Sequence, residues 1–198
     1  MTMFGLSMVT EQALASEAGL SDELVLRLRR ADPSAVAEVY DAHHAAVRSF
    51  AKRLLGDAAS AEDLVHEVFV SLPRAARKFR GDSALRTFLI SIAVNHARHH
   101  VRAAARRRRA MSAYGDTGSP DSSDPEREAR RKELALLLTR ALDTLPVDQR
   151  VAFVLCEVEE RSSREASEIV GAPEATLRTR LFHAKKKLRL ALETEGLR

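Results

Sequence analysis

The segment that decides the fold reads SSREASEIV-GAP-EATLRTRLFHAKKKLRLAL and spans residues 162–192. Two runs of helical character flank a three-residue break, Gly171-Ala172-Pro173. Gly favours the end of a helix and Pro the start of the next, so the pattern predicts helix, tight turn, helix. The second helix of a helix-turn-helix motif enters the major groove of DNA. Such hairpins also occur in ordinary bundles, so the shape alone leaves a purely structural hairpin open.

The residues before this segment also follow helical spacing. Asp32-Pro33 predicts the start of a helix, with a capping carboxylate before Pro at the first helical position, and Gly56 predicts its end. The stretch Ser60–Asp63 resembles a capping box for the next helix, which Pro73 is expected to end or kink. No alternating strand pattern of useful length occurs, which predicts an all-α fold.

A linker divides the chain. The stretch MSAYGDTGSPDSSD at 111–124 has small and polar residues, three Asp and no basic residue, after a long amphipathic helix that ends at about Arg109. Such composition is typical of flexible linkers. We therefore predict two small helical domains joined by a flexible acidic linker, with these bounds: an N-terminal extension at 1–21, a first domain at 22–109, the linker at 110–124 and a second domain at 125–198.

Composition narrows the class of protein. Cys156 is the single cysteine among 198 residues. No disulfide framework is available within the chain, which predicts a reducing, cytoplasmic setting, and we see no secretory signal or apolar run of bilayer length. The histidines lack Cys or acidic residues at ligand spacing, and no phosphate loop or catalytic constellation occurs. We expect no metal site, no cofactor and no catalytic residue.

Charge is concentrated in three segments. Residues 80–110 contain eight Arg and one Asp, and residues 174–189 contain six basic residues and one Glu. Residues 57–67 contain four acids and neither Lys nor Arg. One basic helix can be a merely solvated face, but one in each domain favours two contacts with nucleic acid. The acidic segment would repel DNA, so it should face a basic protein or solvent.

Several motifs carry a resemblance to a known family. They are AEDLVHEVF at 61–69, FRGDSALRTFL at 79–89, IAVN at 92–95, Leu145-Pro146 followed by Arg150, and ATLRTRL at 175–181. In this order, and separated by a polar linker, they resemble the bacterial sigma factors of the extracytoplasmic-function class. The resemblance covers about 22–107 and 129–192.

The resemblance implies three interfaces, in an alternative sigma factor that directs promoter-specific initiation. The first binds core RNA polymerase through an acidic and apolar helix face, with the residues Asp63, Leu64, Glu67 and Val68. The second reads the minus-ten element and captures a flipped base, with the residues Arg80, Gly81, Asp82, Ser83, Ala84, Asn95, Arg98 and Arg102. The third reads the minus-thirty-five element, with the residues Thr176, Arg178, Thr179, Phe182, His183, Lys185 and Lys186. A cognate anti-sigma factor is a further implied partner, without insertion of this chain into a membrane.

The sequence departs from the family pattern at a few positions. Phe88 stands where the family usually has Trp, and aromatic packing is expected to survive. Glu160 stands where Gly often precedes the helix-turn-helix. A left-handed backbone conformation is sterically less favourable for Glu than for Gly. His183 replaces a common Arg, which could alter the preferred minus-thirty-five sequence.

Other functions stay open at this point. A stand-alone helix-turn-helix regulator would bind promoters without polymerase, and it would leave the acidic segment at 57–67 unused. An enzyme of unknown class lacks a catalytic constellation. A purely helical adaptor would leave both basic helices without a role.

Overall fold

A computed structural model of the protein describes residues 22–79, 81, 83–112 and 125–194. The predicted N-terminal extension and residues 113–124 of the predicted linker lie outside the described residues. In the described ranges the regular elements are helices, and no strand occurs. The first domain comprises α1 (Asp22–Arg29), α2 (Pro33–Leu55), α3 (Ala58–Ala76) and α4 (Leu85–Ser112). The second comprises α5 (Pro125–Asp143), α6 (Val147–Phe153), a π-helical turn (Val154–Val158), α7 (Ser163–Val170) and α8 (Glu174–Thr194). This confirms the predicted all-α class.

Both ends of α2 follow the sequence signals. The Ser34 amide donates to the Asp32 carboxylate over 2.9 Å, so Asp32 caps the helix N-terminus. Gly56 closes the helix in the left-handed region, with φ of 66°, and its amide donates to the Lys52 carbonyl. The predicted start and end of this helix are confirmed.

The predicted start of α3 is wrong by three residues. Its N-cap is Asp57, whose carboxylate accepts a hydrogen bond from the Ser60 amide over 3.0 Å. Ser60 is buried inside the first turn and does not cap the helix. Pro73 does not end α3, which continues to Ala76. A proline near a helix end removes only one late hydrogen bond, which the last turn tolerates.

The core of the first domain forms where α2, α3 and α4 pack together, with α1 lying against α2 and α3. The buried residues of α3 recur with helical spacing, as the apolar pattern predicted: Leu64, Val65, Val68, Phe69 and Leu72. From α2 the largest buried side chains are Phe50, Leu54 and Leu55. Burying a large apolar side chain contributes about 1.5–3 kcal/mol, so these residues dominate the stability of the domain.

The second domain does not stand apart from the first. Buried side chains of α6, α7 and the N-terminal part of α8 belong to the same continuous apolar cluster as the first domain, whereas a smaller cluster joins α5 to the rest of α8. In this conformation α7 packs against α4, and the π-helical turn packs against α2.

Candidate nucleic-acid and protein interfaces

Hydrogen bonds define both ends of α7, the helix that precedes the turn into α8. Ser162 and Glu165 form a reciprocal capping box, in which the Ser162 amide donates to Glu165 over 2.9 Å and the Glu165 amide donates to the Ser162 hydroxyl over 3.2 Å. The hydrogen bond from the Ser162 hydroxyl is the largest cause that lowers the pKa of Glu165. At the other end, Gly171 adopts a φ of 66° and its amide donates to Ser167. The capping box fixes the start of α7, and the left-handed Gly171 closes it at the turn that leads to α8.

The buried side of α8 determines which side chains reach solvent. Leu177, Ala184 and Leu188 are buried. They lie on one helical stripe, so the opposite face is turned towards solvent. All seven residues predicted for the minus-thirty-five element are exposed on α8: Thr176, Arg178, Thr179, Phe182, His183, Lys185 and Lys186. Phe182 is 64% exposed, which is unusual for a large aromatic side chain.

Two of the predicted minus-thirty-five cations on α8 have acidic partners in the same domain. Arg178 pairs with Glu174 one turn earlier, and Lys185 Nζ lies 2.7 Å from Glu157 Oε1. Exposed pairs of this kind contribute about 1 kcal/mol or less, so a phosphate can displace either acid at little cost.

The predicted minus-ten loop lies between the end of α3 and the start of α4. Arg80 and Asp82 fall outside the described residues. Gly81 has a φ of 82° in open space, a conformation that other residues rarely adopt, and Ala84 is exposed while Ser83 is half-buried.

The helix that follows the loop carries the other predicted minus-ten residues. Asn95 is exposed on α4. Arg98 and Arg102 lie on the same helix, and their side chains are outside the described set.

Two aromatic rings pack together where the loop begins and ends, one before the loop and one in α4 after it. The rings of Phe79 and Phe88 lie 4.4 Å apart at an angle of 42°. Phe88 therefore keeps the aromatic contact expected at a position where the family usually has Trp.

Arg29 of α1, which was not among the predicted site residues, holds the same loop. Its guanidinium donates to the carbonyl of Ala76 over 3.1 Å and to the carbonyl of Phe79 over 2.7 Å. It therefore ties the last residue of α3 to the residue that precedes the loop. An Arg in the last turn of a helix is common, so the sequence offered no signal for this contact.

The acidic face of α3 presents only some of its predicted residues. The Asp63 side chain is 62% exposed and that of Glu67 is 46% exposed. Leu64 and Val68 are fully buried in the core. Val70, 66% exposed, lies one turn beyond His66 and Glu67 and is the apolar residue that this face presents. Val70 is not among the residues predicted to bind polymerase.

A histidine pair contacts Glu67 from α4. His100 Nε2, which is buried, lies 3.0 Å from Glu67 Oε2, and His96 Nδ1 lies 3.3 Å from the same oxygen. The interaction with His100 is the largest cause that lowers the pKa of Glu67, and partial burial opposes it. Glu67 is thus held ionised and oriented at the rim of the acidic face.

Cys156 is half-buried in the π-helical turn. Burial, followed by the charge of Glu157, raises the pKa of the Cys156 thiol. Low thiolate content makes a cysteine inert. Among the described residues no group of three or more His, Cys, Asp or Glu could hold a metal ion, and no helix is long and apolar enough to cross a membrane.

An apolar groove between α5, α6 and α8 was not predicted. It encloses about 920 Å³ and is lined by Leu138, Phe153, Lys185, Leu188, Arg189, Leu192 and Glu193. Leu134 and Leu138, which the helical spacing of α5 groups with the buried Leu142, are exposed. One side of α5 is therefore apolar without being covered by the described residues.

Each of the two domains matches a known protein family, and most of the chain matches known relatives. Residues 39–107 match the family described as Sigma-70 region 2, and residues 135–188 match the family described as Sigma-70, region 4. The chain is 32% identical to the RNA polymerase sigma-H factor of Pseudomonas aeruginosa over 179 residues, which cover 86% of this chain and 93% of that relative. It is 31% identical to the ECF RNA polymerase sigma-E factor of Escherichia coli K12 over 178 residues, which cover 85% and 93%.

A solved structure shares the fold. It is the sigma factor RpoE in complex with the anti-sigma factor NepR from Bartonella quintana. The TM-score is 0.53 at 24% identity, over 76% of this chain and 91% of that one.

Proposed function

This chain belongs to the extracytoplasmic-function class of bacterial RNA polymerase sigma factors, and we propose how its residues divide promoter recognition. It is an alternative sigma factor that binds core RNA polymerase and directs transcription initiation at specific promoters. We assign residues 22–109 to region 2 and residues 125–198 to region 4, with 110–124 as the linker, although its first three residues continue α4 as helix. The two matched ranges lie inside these bounds. No step in this role requires a cofactor, and we propose that the chain itself is not a catalyst.

The exposed face of α8 is the observation that carries the assignment of the minus-thirty-five contacts. Its residues are Thr176, Arg178, Thr179, Phe182, His183, Lys185 and Lys186. Arg178 and Thr179 lie near the N-terminus of α8, where a recognition helix meets base edges in the major groove. Lys185 and Lys186 lie further along, where ammonium groups are suited to phosphates.

The loop before α4 is assigned to the minus-ten element. The proposed residues are Arg80, Gly81, Asp82, Ser83, Ala84, Asn95, Arg98 and Arg102. A flipped base costs a few kcal/mol, which a fitted pocket must offset, and such a pocket needs a rigid frame. The Phe79–Phe88 contact and the two hydrogen bonds from Arg29 support such a frame.

The acidic face of α3 is assigned to core RNA polymerase. Asp63 and Glu67 are proposed as the direct contacts, because their carboxylates reach solvent. Leu64 and Val68 support the face from the core. Val70 joins the direct contacts as the exposed apolar residue of the face. An acidic face with one apolar side chain suits a basic helical partner.

A cognate anti-sigma factor is proposed as a regulator. The Bartonella quintana sigma factor that shares this fold was solved with its anti-sigma factor. An anti-sigma factor that covers the promoter-reading and polymerase-binding surfaces would keep this sigma factor inactive until the two proteins separate.

The test is a pull-down of the full chain with core RNA polymerase, followed by run-off transcription from a promoter library randomised at both elements. We expect binding and selective initiation. Asp63→Arg together with Glu67→Arg should abolish co-purification while the helical signal persists. The matched control reverses two exposed acids of α2, Glu38→Arg with Asp41→Arg, and should bind as wild type.

Two results would contradict these assignments. Normal co-purification of the Asp63/Glu67 variant would contradict the docking assignment. No binding to polymerase, with tight binding to duplex DNA alone, would instead favour a stand-alone regulator.

A further inference from the structure

The carboxylate of Glu67, on the proposed polymerase-binding face of α3, is shared by two histidines of α4. We propose that His96 and His100 are positioning residues that hold this carboxylate and bind a proton beside it, which a basic group of core RNA polymerase has to displace. This role rests on the proposed function, because that function gives Glu67 a basic partner. Docking is then expected to weaken as the pH falls from about 8 to about 6.

The hydrogen bonds around His96 show where its proton lies. The Ser71 hydroxyl has one proton, and it donates that proton to the carbonyl of Val68 over 3.1 Å, because a carbonyl can only accept. His96 Nε2 lies 3.1 Å from the same hydroxyl oxygen, so Nε2 carries a proton and donates it to Ser71. In a neutral ring the other nitrogen, Nδ1, then has only a lone pair.

That second nitrogen of His96 faces the carboxylate. Nδ1 lies 3.3 Å from Glu67 Oε2, and a lone pair that faces a carboxylate oxygen is repelled by it. A proton on Nδ1 turns the same contact into a charge-assisted hydrogen bond. The geometry of His96 therefore favours the doubly protonated ring, with Ser71 on one side and Glu67 on the other.

His100 approaches the same carboxylate oxygen from a buried position. Its Nε2 lies 3.0 Å from Glu67 Oε2. No well-aligned hydrogen bond from the described part of the chain reaches this nitrogen. A buried polar atom without an aligned partner is unfavourable. A positive charge on the ring offsets this, because the attraction between opposite charges does not depend on the direction of the N–H bond.

The proton and a basic partner compete for one carboxylate. The interaction with His100 is the largest cause that lowers the pKa of Glu67, so this carboxyl stays ionised where histidines titrate. Its side chain is 46% exposed, so a partner can reach it. When two ligands oppose each other at one site, each lowers the affinity for the other by the same factor. Docking should therefore release a proton, and acid should weaken docking.

Other histidines of region 2 lie outside this cluster. Burial, followed by the charge of Arg86, lowers the pKa of His43, so this ring stays neutral. His99 is exposed, and its charge acts on Glu67 in the same direction as that of His96. The histidines outside the cluster are His43 and His44 of α2, His66 of α3 and His99 of α4.

The acids and arginines of the neighbouring helices keep their charge between about pH 6 and pH 8. Each helix packed against α3 or α4 contributes such a group that is bound elsewhere. They are Arg29 of α1 on two carbonyls, Arg48 of α2 with Glu62, Arg107 of α4 with Asp57 and Asp63, Arg150 of α6 with Asp143, and Arg164 of α7 with Glu168. Protonation of the histidines is therefore the change in charge expected beside Glu67 over this range.

A titration of the labelled full chain with core RNA polymerase at about pH 8 and about pH 6 tests the proposal. One displaced proton changes the affinity by at most about tenfold per pH unit. We expect the affinity of the wild type to be at least fivefold lower at the acidic pH. H96Q with H100Q keeps two polar side chains that do not titrate, and should bind with less than a twofold difference between the two pH values.

Two single variants complete this titration. H96Q alone, at a half-buried position, should lose part of the pH dependence, so the proposal stays testable if the double variant does not fold. The matched control is H44Q, which removes a half-buried histidine of α2 that stacks on Tyr40, and it should keep the pH dependence of the wild type. Equal affinity of the wild type at both pH values would overturn the proposal. So would full pH dependence in a folded H96Q/H100Q protein.

Urea unfolding tests the proton site without polymerase. A histidine that gains a carboxylate partner on folding stabilises the fold while it is protonated, and this contribution is lost as the pH rises through the histidine range. E67Q should therefore lower the urea midpoint at least twice as much at about pH 6 as at about pH 8. The matched control is E62Q, which removes the partner of Arg48 and should cause the same loss at both pH values.

The two measurements separate the proposal from the function on which it rests. A wild-type chain that does not bind core polymerase at about pH 8 would contradict the proposed function, and the proton site would then be judged by unfolding alone. An equal loss for E67Q at both pH values would overturn the proton site, whether or not polymerase binds.

Discussion

Arg29 Nη2 donates a hydrogen bond to the backbone carbonyl of Phe79 over 2.7 Å, which joins the first helix to the residue before the proposed minus-ten loop. The same side chain also binds the carbonyl of Ala76, the last residue of α3. A single guanidinium thus fixes the point where the chain leaves α3 and enters the loop. If the loop captures a base as proposed, it must be rigid, so we expect this contact to connect α1 to promoter opening.

Arg29→Ala should reduce both stability and promoter opening. Hydrogen bonds to charged groups are worth about 1.5–3 kcal/mol when buried, and partial exposure here lowers the expected loss to about 1–2 kcal/mol. Urea unfolding measures the first effect, and permanganate reactivity of thymines in the minus-ten region measures the second. Arg30→Ala, which removes an exposed neighbour, should change neither. Normal opening by a destabilised Arg29→Ala protein would limit Arg29 to a structural role.

Substitutions on α8 should separate base contacts from phosphate contacts. Lys186→Ala should weaken promoter binding by the holoenzyme about equally for all sequences and lower the salt slope by about 1. Arg178→Ala should cost about 1–3 kcal/mol and relax the preference at one position of the minus-thirty-five element. Fluorescence anisotropy over a range of KCl concentrations measures both. Lys52→Ala, at an exposed lysine outside the proposed interfaces, is the control. A sequence-independent loss for Arg178→Ala would reassign it to a phosphate.

Acid should weaken the N-terminus of α2 through Asp32. Hydrogen bonds from the Ser34 hydroxyl, then from Arg27, lower the pKa of Asp32 from 3.8 to about 2. A lowered pKa means that the ionised group stabilises the fold above about pH 4, and that this contribution is lost as the pH falls towards 2. Asp32→Asn can still cap the helix but does not titrate.

The measurement is urea unfolding of wild type and Asp32→Asn between pH 7 and pH 2.5. We expect the wild type to be more stable at neutral pH and the difference to shrink below pH 4. A difference that stays constant over the whole range would show that the Asp32 carboxylate gains nothing from Ser34 and Arg27.

The start of α3 shows where local sequence signals reach their limit. Asp57 and Ser60 are both good capping residues, and each is followed three residues later by a polar partner. The structure selects Asp57, whose carboxylate also contacts Arg107 of α4 at 3.0 Å. That contact joins residues 50 positions apart, so no local pattern could have chosen between the two caps. Asp32 and Gly56 had no local competitor, and both were predicted correctly.

Glu160 occupies a position where the family often has Gly, and the sequence alone did not show which backbone conformation it adopts. A left-handed conformation was expected to be unfavourable for Glu at this position, and Glu160 nevertheless adopts it, with a φ of 55°. The π-helical turn just before it was not predicted, because an extra residue in a helical turn leaves no mark on apolar spacing. The docking of region 4 on region 2 was also missed. Glu159 meets Arg53 over 106 positions, and such pairing depends on the tertiary fold.

On α3, a side chain that is buried in the core is not available at the surface for a partner. The apolar spacing that includes Leu64 and Val68 defines the buried side of α3, so these two residues cannot also contact a partner directly. The acids beside them do reach solvent. Val70, outside the apolar repeat, takes the exposed apolar position on the acidic face.

Two valines on α3 should therefore respond in opposite ways. Val68→Ala should destabilise the protein by about 1–3 kcal/mol, because it leaves a cavity in the core of region 2. Val70→Ala removes an exposed side chain and should stay within about 0.5 kcal/mol of wild type. If Val70 belongs to the polymerase contact, its loss should nevertheless weaken binding of core RNA polymerase several-fold, because apolar contacts inside an interface are desolvated on binding. Urea unfolding and a titration of labelled factor with core polymerase give both numbers for each variant. Wild-type affinity for Val70→Ala, together with reduced affinity for a folded Val68→Ala protein, would move the contact back to the face that the sequence first indicated. That outcome would require α3 to rotate or unpack when polymerase binds.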